Sequence, residues 1–418
     1  MWFYVQEILI AHQRADAARN GIPRGNLSDL YPRWLGAREL LLQGRNPYSP
    51  QTTLDIEEGY YGRPLDPIRP NDPRDEQGFA YPVYVVLLLA PTVHLPFSIV
   101  RIVFIALLTA LTLASIFWWL RALDWNPTRP VLAGVLILTL GSFQFVQGIK
   151  LQQLTLLVAA LVAACAALLV SGRLFWAGVL LAVSTIKPQI VTPLALFLVL
   201  WCLVDWHHRR HFLWGFAGTM AALLAGSQLL LPTWIADFWH ALGAYRRYTR
   251  GRSVLDVLLG PSSATLVALA VFLAVVWLSW RWRREGPNSS RFLLTFVLVL
   301  TATLAVIPTF AIYNQILLLP VILIALRHVP PLIAQRPWIR LITRLMVAVL
   351  AWQWVATLGL MIAAPLVSSD LLQRAWSLPL WLALASPLAA LVLLVPMIEE
   401  LIKAHQVSSP LALGDRTG

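Results

Sequence analysis

Charged side chains are scarce in this chain of 418 residues: they make up 12% of it, against about 25% in an ordinary soluble domain. Hydrophobic residues make up 58%, and long apolar runs follow one another from residue 97 to residue 402. Because runs of about 20 apolar residues cross a bilayer as helices, this composition excludes a soluble enzyme and a nucleic-acid-binding module.

Cysteine and lysine are rare as well. The two cysteines, Cys165 and Cys202, lie inside apolar runs, which excludes a disulfide framework and a thiolate metal site. No Walker, Rossmann or haem motif is present. The net charge of +12 comes from basic residues in short loops, which is typical of membrane topology rather than of nucleic-acid binding.

The acidic residues divide the chain into two parts, because 11 of the 20 precede residue 77. We predict a polar extracytoplasmic segment with an interfacial helix over residues 1–80, a transmembrane bundle over 81–403 and a cytoplasmic tail over 404–418. Residues 1–10 are apolar but too few to cross a bilayer of about 30 Å. We therefore expect that a first spanning helix is truncated and that the true start lies upstream, with a surface-lying anchor helix as the alternative.

The apolar runs predict an all-α polytopic membrane protein with about eleven spanning helices. We place them at residues 97–120, 130–147, 151–171, 173–187, 188–206, 211–232, 253–280, 291–310, 312–326, 341–366 and 377–402. The segment 82–96 contains three prolines, which favours a short re-entrant or interfacial helix.

Basic residues fall in alternate loops of this arrangement. Examples are Arg121, Arg173, Arg209, Arg283 and Arg340. The positive-inside rule makes those loops cytoplasmic. The same alternation places residues 1–96, the loop 233–252 and the turns at Lys187 and Tyr313 outside.

The polar segment holds the best-placed carboxylate, Asp29. We predict that Ser28 or Asp29 caps a helix that ends at Gly44 and lies along the outer membrane surface. Its apolar side is expected to carry Trp34, Leu35, Leu41 and Leu42. The first turn then presents Asp29, Tyr31 and Arg33 to the mouth of the bundle; the alternative is that Asp29 is only a helix cap.

The other acids of this segment are expected to be solvated in loops. They are Asp55, Glu57, Glu58 and the cluster from Asp72 to Glu76.

A series of short motifs runs through residues 26–320. They are Ser28-Asp29-Leu30-Tyr31, Gly44-Arg45-Asn46-Pro47-Tyr48, Phe79-Ala80-Tyr81-Pro82, Gln153-Leu154-Thr155-Leu156-Leu157, Ala177-Gly178-Val179-Leu180-Leu181-Ala182, Ile186-Lys187-Pro188 and Ile312-Tyr313-Asn314-Gln315-Ile316-Leu317-Leu318-Leu319-Pro320. Their order and spacing resemble those of glycosyltransferase family 87, which contains polyprenol-phosphate-mannose-dependent α-mannosyltransferases. Members commonly have Gly-Gln where this chain has Gln152-Gln153.

The resemblance implies a bundle like that of the C-type glycosyltransferase superfamily, in the plasma (inner) membrane. It implies inverting transfer of a sugar, mannose or another hexose or pentose, at the outer face. The donor would be a polyprenyl-phosphate sugar and the acceptor a glycan or glycolipid. From the sequence we expect no cofactor, with a divalent metal as the alternative. The resemblance also implies that an aspartate in the first outer loop, here Asp29, is the base. A carboxylate within hydrogen-bond reach of a sugar hydroxyl can take its proton.

A lipid-phosphate leaving group calls for cations at the outer rim of the bundle. Lys187 ends an apolar run before Pro188, so it is a candidate, with snorkelling to the interface as the alternative. The outer loop 245–252 offers four more candidates, for which binding of lipid headgroups in general is the alternative. They are Arg246, Arg247, Arg250 and Arg252.

Polar side chains at the outer ends of the runs are candidates for binding the sugar and the acceptor. They are Tyr31, Arg33, Tyr81, Gln147, Gln152, Gln153, Tyr313, Asn314 and Gln315. Hydrogen bonds between helices are the alternative role.

No ligand spacing indicates a metal. His207, His208 and His211 lie beside Asp205 and are interpreted as part of a solvated cytoplasmic loop. The competing function is a transporter or lipid flippase, but the two halves of the chain show no matching pair of interrupted helices.

Overall fold

The computed structural model describes residues 1–66, 68–74, 76–249, 252–307, 311–333 and 337–407. Within these residues all regular structure is helical and no strand occurs. The cytoplasmic tail predicted at 404–418 therefore lies largely outside the described residues, which end within a helix.

The first segment contains a π-helix and three α-helices. A π-helix at Tyr4–Leu9 runs directly into α1 (Ile10–Asn20), and α2 (Tyr31–Gln43) and α3 (Pro50–Tyr61) follow. Helix α2 ends at Gly44, as predicted, because a φ of 66° at this residue suits glycine.

The predicted cap of α2 is wrong. The N-cap is Leu30 and no side chain caps the helix, because the carboxylate of Asp29 is bonded elsewhere. The predicted apolar side is also only partly correct. Trp34 is buried, but Leu42 is 41% exposed, and Ala37 and Leu40 complete the buried side.

The acids Asp55, Glu57 and Glu58 lie on a helix rather than in a loop. Ser49 caps α3 by accepting a hydrogen bond from the backbone of Thr52, which the sequence analysis missed. After α3, Asp72 accepts hydrogen bonds from the guanidinium of Arg63, at 2.5 and 2.7 Å. These bonds lower the pKa of the Asp72 carboxyl to about 2.

The remaining helices form the bundle. They are α4 (Val85–Leu89), α5 (Phe97–Ala122), α6 (Arg129–Leu140), α7 (Phe143–Lys150), α8 (Leu154–Val170), α9 (Leu174–Ser184), α10 (Pro188–Val204), α11 (Trp206–Leu230), α12 (Trp234–Thr249), α13 (Val254–Leu259), α14 (Pro261–Arg281), α15 (Ser290–Val306), α16 (Leu319–Ile333), α17 (Pro337–Ala363), α18 (Ser369–Arg374) and α19 (Ser386–Val407). Short 3₁₀ helices lie at Ala90–Thr92, Ile312–Leu318 and Leu378–Leu380. The segment 82–96 is a short broken helix, as its prolines predict.

The predicted count of eleven spanning helices is not confirmed. Among the described residues, four helices are long and apolar enough to cross a membrane, namely α5, α11, α14 and α17. The pair α6 and α7, bent by 46°, makes a fifth if it is one span. Most other predicted spans are helices of 10–17 residues, because Pro, Gly and polar residues interrupt the apolar runs. A helix of 17 residues is only about 25 Å long.

The core lies around α8 and α15, which are buried along almost their whole length. Helix α9 packs on α8, and α11 packs very closely on α9. A Cβ on Gly178 would lie 2.1 Å from the carbonyl oxygen of Phe212, and one on Gly215 would lie 2.1 Å from that of Phe175. Glycine at both positions therefore lets the two backbones meet.

The contacts of two arginines mark one end of the bundle. Arg121 donates to Ser171, which follows the last residue of α8, and Arg209 donates to the carbonyl oxygens of Arg283 and Arg284. Gln153 precedes the first residue of the same helix α8. Gln153 and the Arg121 contact are therefore at opposite ends of the bundle, as the alternation of basic loops predicts.

Candidate active site

Asp29 and Gln153 meet although 124 residues separate them. The backbone N–H of Asp29 donates to the carbonyl oxygen of Leu151 at 2.9 Å. The amide Nε2 of Gln153 donates to Oδ2 of Asp29. Among the described residues no other side chain is bonded to the Asp29 carboxylate, so its Oδ1 remains for a ligand.

Lys187 reaches the same amide from the other side. It stands between α9 and α10 and is 5% exposed. Its Nζ donates to Oε1 of Gln153 at 2.7 Å and to Oγ1 of Thr155 at 2.6 Å. Thr155 in turn donates to Oδ1 of Asn314 at 2.9 Å. Lys187 is therefore held inside the bundle by hydrogen bonds to two side chains.

Aromatic rings surround this cation. Nζ of Lys187 lies 5.1 Å from the centre of the Tyr313 ring and 5.8 Å from that of Tyr81. The guanidinium of Arg33 also lies over the Tyr81 ring, 4.7 Å from its centre. Both distances to Tyr81 are within the range of cation–π attraction, so its ring helps to hold two cations near one space.

These residues line one cavity of about 490 Å³, which we call the inner cavity. Five of the residues predicted to bind the sugar or the acceptor line it, namely Arg33, Tyr81, Gln153, Tyr313 and Asn314. Arg246 of α12 joins them. Apolar side chains line it too, including Phe238, Trp239, Leu242 and Ile307. The cavity can therefore hold a ligand that is partly anionic and partly apolar, beside a carboxylate that can accept a proton.

The other four residues predicted to bind the sugar or the acceptor do not line the inner cavity. The ring of Tyr31 packs on Phe97 at 4.9 Å. The amide of Gln152 donates to the carbonyl oxygens of Ile149 and Lys150. A φ of 49° at Gln152 directs its side chain toward these preceding residues. Gln315 is bonded to Gln144 and to the carbonyl oxygen of Ala383. Gln147 lies on α7, away from the cavity.

Residues 245–249 of the arginine-rich segment lie at the end of helix α12 and not in the predicted loop. Arg246 lines the inner cavity, whereas Arg247 lines a second, neighbouring cavity of about 520 Å³, which we call the outer cavity. Arg252 is exposed and lines neither of the two. Arg250 lies outside the described residues.

The motif Gly44–Tyr48 positions the site, a role that the sequence analysis did not assign. Oη of Tyr48 donates to the carbonyl oxygen of Tyr81 at 2.5 Å, and its ring contacts that of Phe79 at 5.1 Å. Nδ2 of Asn46 donates to Asp237 of α12 at 2.9 Å. The motif therefore joins the Tyr81 segment to α12.

Thr155, which accepts a hydrogen bond from Lys187, is a second site residue that the sequence analysis did not assign. Its hydroxyl lies in an apolar run two residues after Gln153, and that position could have indicated a polar contact.

Metal-binding side chains do not gather in the described part of the chain, where no group of three or more His, Cys, Asp or Glu could hold an ion. His208 is bonded to Asp205 at 2.7 Å. Lys187 precedes the first residue of α10, whereas Asp205 follows its last residue. The histidines are therefore at the end of the bundle remote from Asp29.

The comparisons with known proteins bear on the central part of the chain. A search of curated proteins and a search of solved structures found no match. A family model, that of glycosyltransferase family 87, matches residues 79–308, which is more than half of the chain. The matched range contains Tyr81, Gln153, Lys187 and Arg246. The chain therefore belongs to glycosyltransferase family 87.

Proposed function

We propose that this membrane glycosyltransferase transfers a sugar from a polyprenyl-phosphate donor to an extracytoplasmic glycan or glycolipid, with inversion at the anomeric carbon. Mannose is the first sugar to test, with other hexoses and pentoses after it. The observation that carries the proposal is that Asp29 and Lys187 lie on either side of Gln153 in the wall of one cavity. Membership of a transferase family favours this function over a transporter or flippase.

The acidic and basic groups fit the two halves of the reaction. The oxygen of an acceptor hydroxyl attacks the anomeric carbon, and Oδ1 of Asp29 takes the hydroxyl proton. The bond from that carbon to the phosphate oxygen breaks, and its electron pair leaves with the lipid phosphate. Lys187 and Arg246 stabilise the charge that develops on this phosphate. Attack from the side opposite the leaving group inverts the configuration.

The lining of the inner cavity also fits a lipid-linked donor. A nucleotide sugar would bring a polar base and ribose, but Phe238, Trp239 and Leu242 present apolar surface. The phosphate of a polyprenyl donor can lie at the cations while the first isoprene units pack on these side chains. The other residues proposed for sugar contact are Arg33, Tyr81, Tyr313 and Asn314.

We further propose that the site faces outward from the plasma (inner) membrane. The contacts of Arg121 and Arg209 lie at the end of the bundle opposite Asp29. Because basic loops remain on the cytoplasmic side, Asp29 is assigned to the extracytoplasmic side.

Purified protein in vesicles with radiolabelled polyprenyl-phosphate sugars tests this function. The acceptor is a glycan and glycolipid extract of the native envelope, and the same sugars as nucleotide conjugates are the control donors. We expect label in the extract only with the polyprenyl-phosphate donor. Transfer from nucleotide sugars alone, or no transfer from any donor, would contradict the proposal.

A further inference from the structure

The inner and outer cavities are neighbours that share part of their walls. Arg33, Gln77, Ala80 and Tyr245 line both. The outer cavity is otherwise lined by different residues, which include Tyr48, Phe79, Asp237, His240 and Arg247. A group bound in the outer cavity therefore lies next to a group bound in the inner one.

Helix α12 separates the two spaces. Successive residues of an α-helix point about 100° apart, so Arg246 and Arg247 cannot face the same way. Arg246 lines the inner cavity with Lys187, whereas Arg247 lines the outer cavity with His240. Leu242 and Ala244 are divided in the same way, since Leu242 lines the inner cavity and Ala244 the outer one.

The side chains of the outer cavity suit a carbohydrate. Asp237 accepts hydrogen bonds, Arg247 donates them and His240 can do either, which matches the hydroxyls of a sugar. The rings of Tyr48 and Phe79 offer apolar faces for its C–H groups. Leu242 and Trp239 line the inner cavity, whereas no described residue brings a large aliphatic or indole group to the lining of the outer cavity.

Asp237 is held in position for such a contact. Nδ2 of Asn46 and Oγ1 of Thr233 both donate to its Oδ2, at 2.9 and 2.7 Å. In the described part of the chain no donor is bonded to Oδ1. One carboxylate oxygen is therefore anchored and the other is available to a ligand.

We propose that the outer cavity binds the sugar of the acceptor, with Asp237, His240 and Arg247 as its polar contacts. The proposal rests on the function proposed above and assigns each of its two substrates to a cavity. The donor binds in the inner cavity and the acceptor in the outer cavity. The proposal assigns Arg247 to the acceptor, whereas its place in the arginine-rich segment predicted a contact with the lipid phosphate.

Two matched variants test the assignment of donor and acceptor to the two cavities, by steady-state kinetics in vesicles. Arg247→Ala is expected to raise the half-saturating amount of envelope glycan about tenfold or more and to change that of the polyprenyl-phosphate sugar less than about twofold. Arg246→Ala is expected to do the reverse. Arg210→Ala, an exposed arginine at the other end of the bundle, is the control. If Arg247→Ala weakens donor saturation as Arg246→Ala does, or changes neither value, the proposal is wrong.

A labelling experiment gives an answer that does not depend on turnover. Cysteine is placed in the outer cavity with Ala244→Cys and in the inner cavity with Leu242→Cys, while the native Cys165 and Cys202 are buried. Water-soluble glycans released from the envelope should slow maleimide modification of position 244 only, and a polyprenyl phosphate that of position 242 only. Glycan protection at 242 alone, or at neither position, would overturn the proposal. Protection at 244 without any sugar transfer would contradict only the proposed function.

Discussion

Lys187 donates from Nζ to Oε1 of Gln153 at 2.7 Å, and this contact fixes which end of the Gln153 amide faces which neighbour. Because the oxygen is turned to the ammonium group, the NH₂ group is turned to the carboxylate of Asp29. The amide thus lies between a carboxylate and an ammonium group and keeps both in the wall of the inner cavity.

Asp29→Asn should abolish transfer while donor binding remains. The amide keeps the shape of the side chain but does not accept the hydroxyl proton, so kcat should fall about 10²–10⁴-fold. The measurement is single-turnover transfer at saturating donor. Glu58→Gln, an exposed acid on α3, is the matched control. Transfer within about tenfold of wild type would restrict Asp29 to a structural role.

Gln153→Ala should lower kcat about 10²-fold, because Asp29 and Lys187 lose the group that orients them. Saturation by the donor should change less, since both charges remain in the cavity. Initial rates over a range of donor concentrations separate the two effects. Gln51→Ala, on the exposed side of α3, controls for loss of a glutamine. An unchanged kcat would show that the amide does not position Asp29.

Lys187→Ala should lower kcat/KM about ten- to a hundred-fold, because a charged hydrogen bond to phosphate contributes about 1.5–3 kcal/mol. Both KM and kcat should change, since the phosphate is charged before transfer and gains charge during it. Lys187→Arg should restore part of the activity, as it keeps the charge but not its geometry. Lys150→Ala, whose ammonium contacts Gln6, is the control. Normal turnover of correctly inserted Lys187→Ala would leave Arg246 to hold the phosphate.

Gly215→Ala should destabilise the bundle by about 1–3 kcal/mol, because its Cβ would overlap the backbone of Phe175. Gly218→Ala on the same helix is the matched control, since nothing lies within 4 Å of a Cβ there. Alanine at that position should be neutral or slightly stabilising. Thermal unfolding in detergent, followed by circular dichroism, compares the two. Equal Tm values would show that α9 and α11 can separate without cost.

The orientation of the bundle is tested with cysteines at two exposed arginines. Arg247→Cys should react with an impermeant thiol reagent in intact cells, and Arg340→Cys only after permeabilisation, because basic loops stay inside. The unsubstituted protein, whose Cys165 and Cys202 are buried, gives the background labelling. Labelling of position 340 in intact cells would reverse the assignment, whatever the enzyme activity.

Much of the candidate site could be predicted from polar residues at the ends of apolar runs and from the order of the motifs. Asp29, Gln153 and Lys187 are such residues, and all three line the inner cavity. The choice between neighbours could not be predicted. Gln153 lines the cavity but Gln152 does not, and Asn314 does but Gln315 does not. In each pair both side chains are amides. Their directions depend on the backbone of a turn or of a 3₁₀ helix, and contacts with distant parts of the chain determine that backbone.

The sequence by itself determined the helical membrane class and the separation of basic loops from the acidic segment, because apolar length and charge act locally. The tertiary structure decided how far each helix extends and which side of it faces a cavity. Arg246 and Arg247 show why: both are arginines on one helix, yet they line different cavities. The rotation of α12 that separates them depends on its packing, including the contact of Asn46 with Asp237, whose partners are 191 residues apart.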